Sequence, residues 1–205
     1  MTEKYFEYGE EELNFLKSKD KKLSDVIEKV GHVYRVVNSD LFSSVVFQII
    51  GQQISSKAQD TIKKRFLEKY KILTPQVISN VSTEDLQSVG ISSRKAEYIK
   101  NFAEKILNGE FNIDAVKNMS DNEAILYLSS LKGVGVWTAE MTLLFCLQRK
   151  NIFSFNDFAI KRGLKIIYRH REIDRKKFER YRKRFSPYCS VASLYLWEVA
   201  GGRMS

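Results

Sequence analysis

From Leu41 onward the apolar residues Phe42, Val45, Val46, Ile49 and Ile50 recur at spacings of three and four, the period that lays a stripe along one side of a helix facing a core. The same period runs through nearly the whole chain. Helix starts are well marked: Thr74-Pro75 offers an N-cap followed by proline at the first helical position, and Ser120-Asp121-Asn122-Glu123 has the form of a capping box. Helix stops fall at Gly90 and Gly109. With two prolines and no alternating runs of any length, the pattern predicts an all-α fold with no sheet of consequence.

Two stretches repeat one plan, LQSVGISSRKAEYI from Leu86 and LSSLKGVGVWTAEMTL from Leu128. Each sets a short helix, a glycine turn and a second helix in succession, although any two antiparallel helices joined by a glycine would resemble the first copy. The most charged segment is RHREIDRKKFERYRKRF, Arg169 to Phe185, which suits a solvated helix face and a phosphate-contacting surface about equally.

Composition narrows the classes. A chain of 205 residues with 43% hydrophobic and 29% charged residues can bury a core as one body or two small lobes, and is far from the composition of disorder. Lys and Arg number 34 against 25 Asp and Glu, a net charge of +9, which points toward a polyanionic partner without specifying one. The two cysteines, Cys146 and Cys189, lie in apolar runs far from any histidine, so they read as buried free thiols and not as a zinc or iron–sulfur site. The N-terminal segment is acidic and lacks the apolar core of a signal peptide, and no window approaches a membrane span, so a cytoplasmic protein is expected.

The chemistry begins at Leu131-Lys132-Gly133-Val134-Gly135, between a capped helix and the apolar helix WTAEMTLLFCL. Two glycines one residue apart permit a tight turn whose amides no Cβ shields, so a phosphate oxygen can approach the start of the second helix. Such a turn can also aim its carbonyls outward at a monovalent cation. Contacts of this kind position a protein on a nucleic-acid backbone without reading sequence.

LKGVGVWTAE, followed about twenty residues later by IFSFNDFAIKRG, resembles the hairpin and catalytic-aspartate signature of the helix-hairpin-helix (HhH-GPD) DNA glycosylase superfamily. QIIGQQIS, Gln48 to Ser55, and the terminal SPYCSVASLYLWEV are similar to its AlkA-type 3-methyladenine glycosylase branch, so the resemblance runs from about Phe42 to Trp197. It implies that Asp157 is the catalytic carboxylate, whereas its neighbour Asn156 cannot carry the charge. An aspartate before FAIKRG also suits an ordinary N-cap, and the two roles are compatible, because a carboxylate held at a helix start is rigid. The histidines, His32 and His170, lie outside every motif and are expected at the surface.

Other roles follow from the same resemblance. Trp137 and Trp197 are expected to wall the pocket for an extruded base, with Met141 where the branch usually offers a tyrosine. Gln53 or Ile54 fills the space the base vacates. Lys132, Gly133, Val134 and Gly135 take the DNA backbone, with Arg94 and Lys95 as further phosphate contacts. The backbone carbonyls of Ser129, Leu131 and Val134 offer a place for a structural Na+ or K+, and no other cofactor is expected. Bifunctional members carry a nucleophilic lysine at the position held here by Trp137, so hydrolysis of alkylated purines without strand cleavage is implied. The alternatives are a bifunctional oxidised-base glycosylase/lyase using another lysine, such as Lys132, and a non-catalytic DNA-binding module.

The expected architecture is two-lobed. One lobe, 38–150, carries the hairpins; the other joins 1–37 to 151–205, with the active site in the cleft between them. About forty residues before Phe42 leave no room for the N-terminal sheet domain of the full AlkA-type enzyme. The expected partner is double-stranded DNA containing damaged bases, met by a monomer.

Overall fold

A computed structural model describes residues 3–203; the outermost residues of the expected terminal lobe lie outside that range. It is mostly helical, 65% helix and 2% strand, as the periodicity implies. In chain order the elements are β1 (Lys4–Tyr5), α1 (Glu10–Lys19), α2 (Lys21–Val30), β2 (Val36–Val37), α3 (Leu41–Gly51), α4 (Ser56–Tyr70), α5 (Pro75–Ser79) and α6 (Thr83–Gln87). There follow α7 (Ser93–Leu107), a 3-10 turn (Ile113–Asn118), α8 (Asp121–Ser129), α9 (Val136–Phe145), α10 (Phe158–Tyr168), α11 (Arg175–Phe185) and α12 (Cys189–Ala200). The two short strands pair antiparallel, Lys4 opposite Val37 and Tyr5 opposite Val36.

Most helices begin on a side chain that satisfies an otherwise orphaned amide. Asp40 accepts from Ser43 N, Ser55 from Ala58 N, Ser92 from Lys95 N and Asp174 from Lys177 N. Thr74 and Ser120 cap α5 and α8, the latter with the reciprocal Glu123 bond to the Ser120 amide at 2.9 Å. Gly90 and Gly109 take φ of +104° and +74°, the left-handed conformation that ends a helix at no steric cost.

The chain divides into two compact units, one formed by residues up to Val37 together with those from Gln148 on, the other by Asn38–Leu147. Each is built around one helix buried on nearly all sides. In the Asn38–Leu147 unit that helix is α3, against which α4, α7 and α9 pack. The period predicts a single apolar stripe, yet nine of its eleven residues are buried, including Ser43, Ser44 and Phe47 off the stripe. A helix with neighbours on several sides is apolar nearly all round. The terminal unit has α12 in this place, with Cys189 to Leu196 all buried and α1, α2, α10 and α11 around it. Its buried Ser190 is satisfied: the hydroxyl donates to the Arg149 carbonyl and accepts from Ile152 N at 3.0 Å.

Both cysteines are buried and unpaired, and burial pushes the Cys146 thiol up to about 11 and Cys189 to about 12, so neither is a thiolate at neutral pH. His32 is exposed and stacks on Tyr8 with ring centroids 4.4 Å apart. His170 departs from expectation, being half-buried with Nε2 2.7 Å from the Tyr181 hydroxyl. Among the described residues no helix is long and apolar enough to cross a membrane.

In the terminal unit α10 and α12 cross closely at Gly163. A Cβ on Gly163 would overlap the backbone carbonyl of Leu196, which cannot swing aside as a side chain can. Gly163→Ala is therefore expected to lower stability by about 1–3 kcal/mol through overpacking, read from the midpoint of chemical denaturation. An unchanged midpoint would mean that this crossing is not tightly fixed.

Candidate active site

Asp157 is the N-cap of α10. Its Oδ1 accepts the Ile160 amide at 2.9 Å and the indole N–H of Trp197, forty residues further along the chain, at 3.2 Å. The carboxylate-bearing residue is only 7% exposed. Burying a charge is costly unless donors replace its water, and here a helix amide and an indole do so. The first turn of α10 also places its partial positive charge at this oxygen. Trp197 stands one residue after Leu196, so the crossing at Gly163 brings the indole within reach of the carboxylate.

Asn156, one residue earlier, is exposed. On the other side of Asp157, Phe158 is 84% exposed, an unusual position for a phenylalanine. Lys161 Nζ lies 4.8 Å from the ring centroid of Phe155 and 5.1 Å from that of Phe158, and the Arg175 guanidinium lies 4.9 Å from Phe155. This aromatic and cationic cluster, on residues that flank the aspartate in the chain, escapes a motif-based reading. The signal for it was the pair of phenylalanines in FNDF.

The Asn38–Leu147 unit carries the hairpin. Gly133 has φ of +87°, and a Cβ there would overlap the ring of Tyr98, so this turn needs glycine on two counts. Gly135 has open space around it and serves as N-cap of α9 with no side-chain cap, which leaves the first amides of that helix without the hydroxyl or carboxylate that most of the others have. The turn is braced from outside: Gln52 Nε2 donates to the Gly133 carbonyl at 2.8 Å and to Thr138 Oγ1 at 3.1 Å.

A groove of about 890 Å³ runs along this face. The two helix–turn–helix segments read separately in the sequence contribute to it together, Ser92 to Lys95 from one and Gly133 to Gly135 from the other, with Gln52 and Gln53 at the same groove. Gln53 is exposed in the left-handed conformation, φ +56°, and Ile54 beside it is 36% exposed. Lys132 and Arg94 are exposed.

Lys95, expected as a phosphate contact, is engaged elsewhere. Its ammonium donates to the Ile50 and Gln52 carbonyls at 2.7 and 2.6 Å, closing the open end of α3, and partial burial lowers its pKa. Trp137 is half-buried in the first turn of α9, and Met141, one turn on, is 2% exposed within the core of that unit. The residues that sequence reasoning missed are Gln52, Tyr98 and Gly163, all of which act through contacts distant in sequence.

A helical hairpin turned on glycine, together with a buried carboxylate at a helix start, defines a class of DNA-repair proteins. The chain belongs to the HhH-GPD superfamily of base excision DNA repair proteins, which residues 46–187 match. Among its relatives, YfjP of Bacillus subtilis is 28% identical over 187 residues, 85% of this chain and 64% of that protein, so the chain spans just under two thirds of it. The crystal structure of a DNA-3-methyladenine glycosidase from Bacillus halodurans is 34% identical with a TM-score of 0.82, covering 97% of this chain and 93% of that one. The Schizosaccharomyces pombe 3-methyladenine DNA glycosylase Mag1, solved in complex with abasic DNA, shares the fold at 24% identity, with a TM-score of 0.82 over 94% of this chain and 97% of that one.

The two hairpin glycines are expected to respond differently to the same change. Gly133→Ala should lose about 1–3 kcal/mol through its positive φ and the Tyr98 overlap, while Gly135→Ala should stay near wild type. Urea denaturation of both variants checks this, and equal losses would contradict the geometry.

Proposed function

We propose that this chain is a monofunctional DNA glycosylase that everts an alkylated purine of the 3-methyladenine or 7-methylguanine type from double-stranded DNA and hydrolyses its N-glycosidic bond, with Asp157 as the catalytic carboxylate. The observation that carries the reading is the way Asp157 is held, buried on Oδ1 by the Ile160 amide and the Trp197 indole within a family of base excision repair proteins.

As the bond between C1′ and the base nitrogen breaks, its electrons leave with the base and positive charge builds on the deoxyribose. A fixed carboxylate stabilises that charge and orients the water whose oxygen bonds to C1′. An alkylated purine is already cationic and leaves as a neutral base, so less activation of the leaving group is needed. Trp137 occupies the position where bifunctional members carry their nucleophilic lysine, and an indole cannot form a Schiff base. The product is then a free base and an abasic site in an unbroken strand.

The remaining roles follow from placement. The uncapped start of α9, with Lys132, Gly133 and Gly135, receives backbone phosphate, while Val134 shapes the turn by donating its amide to the Leu131 carbonyl at 3.0 Å. Gln53 or Ile54, exposed on the loop after α3, enters the duplex where the base has left. Trp197, whose indole holds Asp157, is placed to pack against the everted base; Met141, 2% exposed in the core of its own unit, is taken up by packing. The carbonyls of Ser129, Leu131 and Val134 suit Na+ or K+, and the Ser129 hydroxyl at the end of α8, buried without a hydrogen-bond partner among the described residues, fits such a donor set.

Two substitutions test the centre of this reading. Asn is as good an N-cap as Asp, so Asp157→Asn keeps the helix start and removes only the charge. Base release from methylated duplex should fall by about a thousandfold or more, with binding to abasic-site DNA largely kept; undiminished turnover would remove Asp157 from the chemistry. Trp197→Phe keeps a ring but loses the N–H, and base release should slow by about tenfold to a hundredfold with little change in abasic-DNA affinity. Equal losses in rate and affinity would instead assign Trp197 to the binding of the base alone.

A further inference from the structure

The basic segment that the sequence sets apart forms α11 and is not absorbed by the reaction. Its buried side is Phe178, Tyr181 and Phe185. Of its seven cations, four are tied within the terminal unit: Arg175 and Arg182 to Glu179, Lys177 to Asp174, and Arg184 to Asp20. The other three, Lys176, Arg180 and Lys183, are exposed and make no ion pair among the described residues.

Those three fall at i, i+4 and i+7. At 3.6 residues per turn they form one stripe roughly opposite the buried face, pointing away from the protein. Like charges one turn apart repel, and on this helix Glu179, paired with Arg175 and Arg182, and the cap Asp174, paired with Lys177, offset that only in part. The stripe is about 10 Å long at 1.5 Å per residue, while a strand of duplex DNA presents a phosphate every 3.4 Å or so along its axis. Three cations thus face about three consecutive phosphates. In the last turn of α11, Arg184 lines a pocket of about 430 Å³ with Lys19, Lys21 and Lys22; Asp20, also in it, is taken up by Arg184 and the start of α2.

We infer that Lys176, Arg180 and Lys183 form a second DNA-binding face, on the terminal unit, that holds the phosphate backbone of undamaged duplex during the search for a lesion. It shares no residue with the hairpin amides and takes no part in bond cleavage. The choice of duplex DNA as occupant rests on the function proposed above.

The test combines Lys176→Gln, Arg180→Gln and Lys183→Gln in the full chain and measures affinity for an undamaged duplex by fluorescence anisotropy across a salt series. Each phosphate neutralised contributes about 0.9 to the slope of log affinity against log salt, so the slope should shrink by about two to three units and binding near 0.1 M salt should weaken at least about tenfold. Thermal unfolding should not fall, because the three side chains are exposed and form no ion pair among the described residues, and the single-turnover rate of base release from saturating alkylated duplex should match wild type. A slope change of less than about one unit overturns the inference, as does a loss of single-turnover rate with unchanged affinity. Tighter wild-type binding to phosphatidylserine vesicles than to duplex would overturn it in favour of an anionic membrane. If wild type releases no alkylated base and the slope still shrinks in the variant, the glycosylase reading falls and this one stands.

Discussion

One carboxylate oxygen receives two hydrogen bonds, from the Ile160 amide and the Trp197 indole, and the terminal unit is arranged so that both donors reach it. The first comes from the helix that Asp157 itself caps. The second requires α12 to pass α10 closely enough that only hydrogen fits on Gly163 beneath the Leu196 carbonyl. Charge, cap and helix crossing therefore meet at one side chain. Burial at 7% exposure is tolerable because the donors that replace water are fixed in advance.

The Asn38–Leu147 unit solves a different problem, presenting backbone amides at a surface without letting the backbone wander. Two side chains, of which the sequence suggests only Lys95 as a ligand contact, are spent on that rigidity. Lys95 closes the carbonyl end of α3, and Gln52 pins the hairpin from the side. Gly135 is left uncrowded and its helix uncapped, while Gly133 is locked against Tyr98. One glycine gives access and the other shape.

The features legible in the sequence are those whose cause is local. Caps such as Thr74 and Ser120, and the stops at Gly90 and Gly109, act over three or four residues, and the structure has them where the pattern puts them. The all-α class follows from the period for the same reason. The glycine turn and the N-cap position of Asp157 are legible because a motif compresses distant relationships into a short string. What the period could not reveal is burial on every side of α3, since a repeat reports one stripe and not how many neighbours surround it. Nor could it foresee the Trp197 bond to Asp157, the duty of Lys95 or the half-buried His170, because each depends on a partner brought near only by tertiary packing.

Gln52 has a mechanical consequence. Its side chain holds the carbonyl of Gly133, while its own carbonyl is held by Lys95 and its chain neighbour is Gln53. The tip of the loop after α3 and the glycine turn are thereby riveted at a single residue, so a force applied to one is felt by the other without an intervening hinge. A duplex seated against the turn would stand at a set distance from Gln53, and pushing a side chain into its stack would depend on how far the double helix bends and not on movement of the loop.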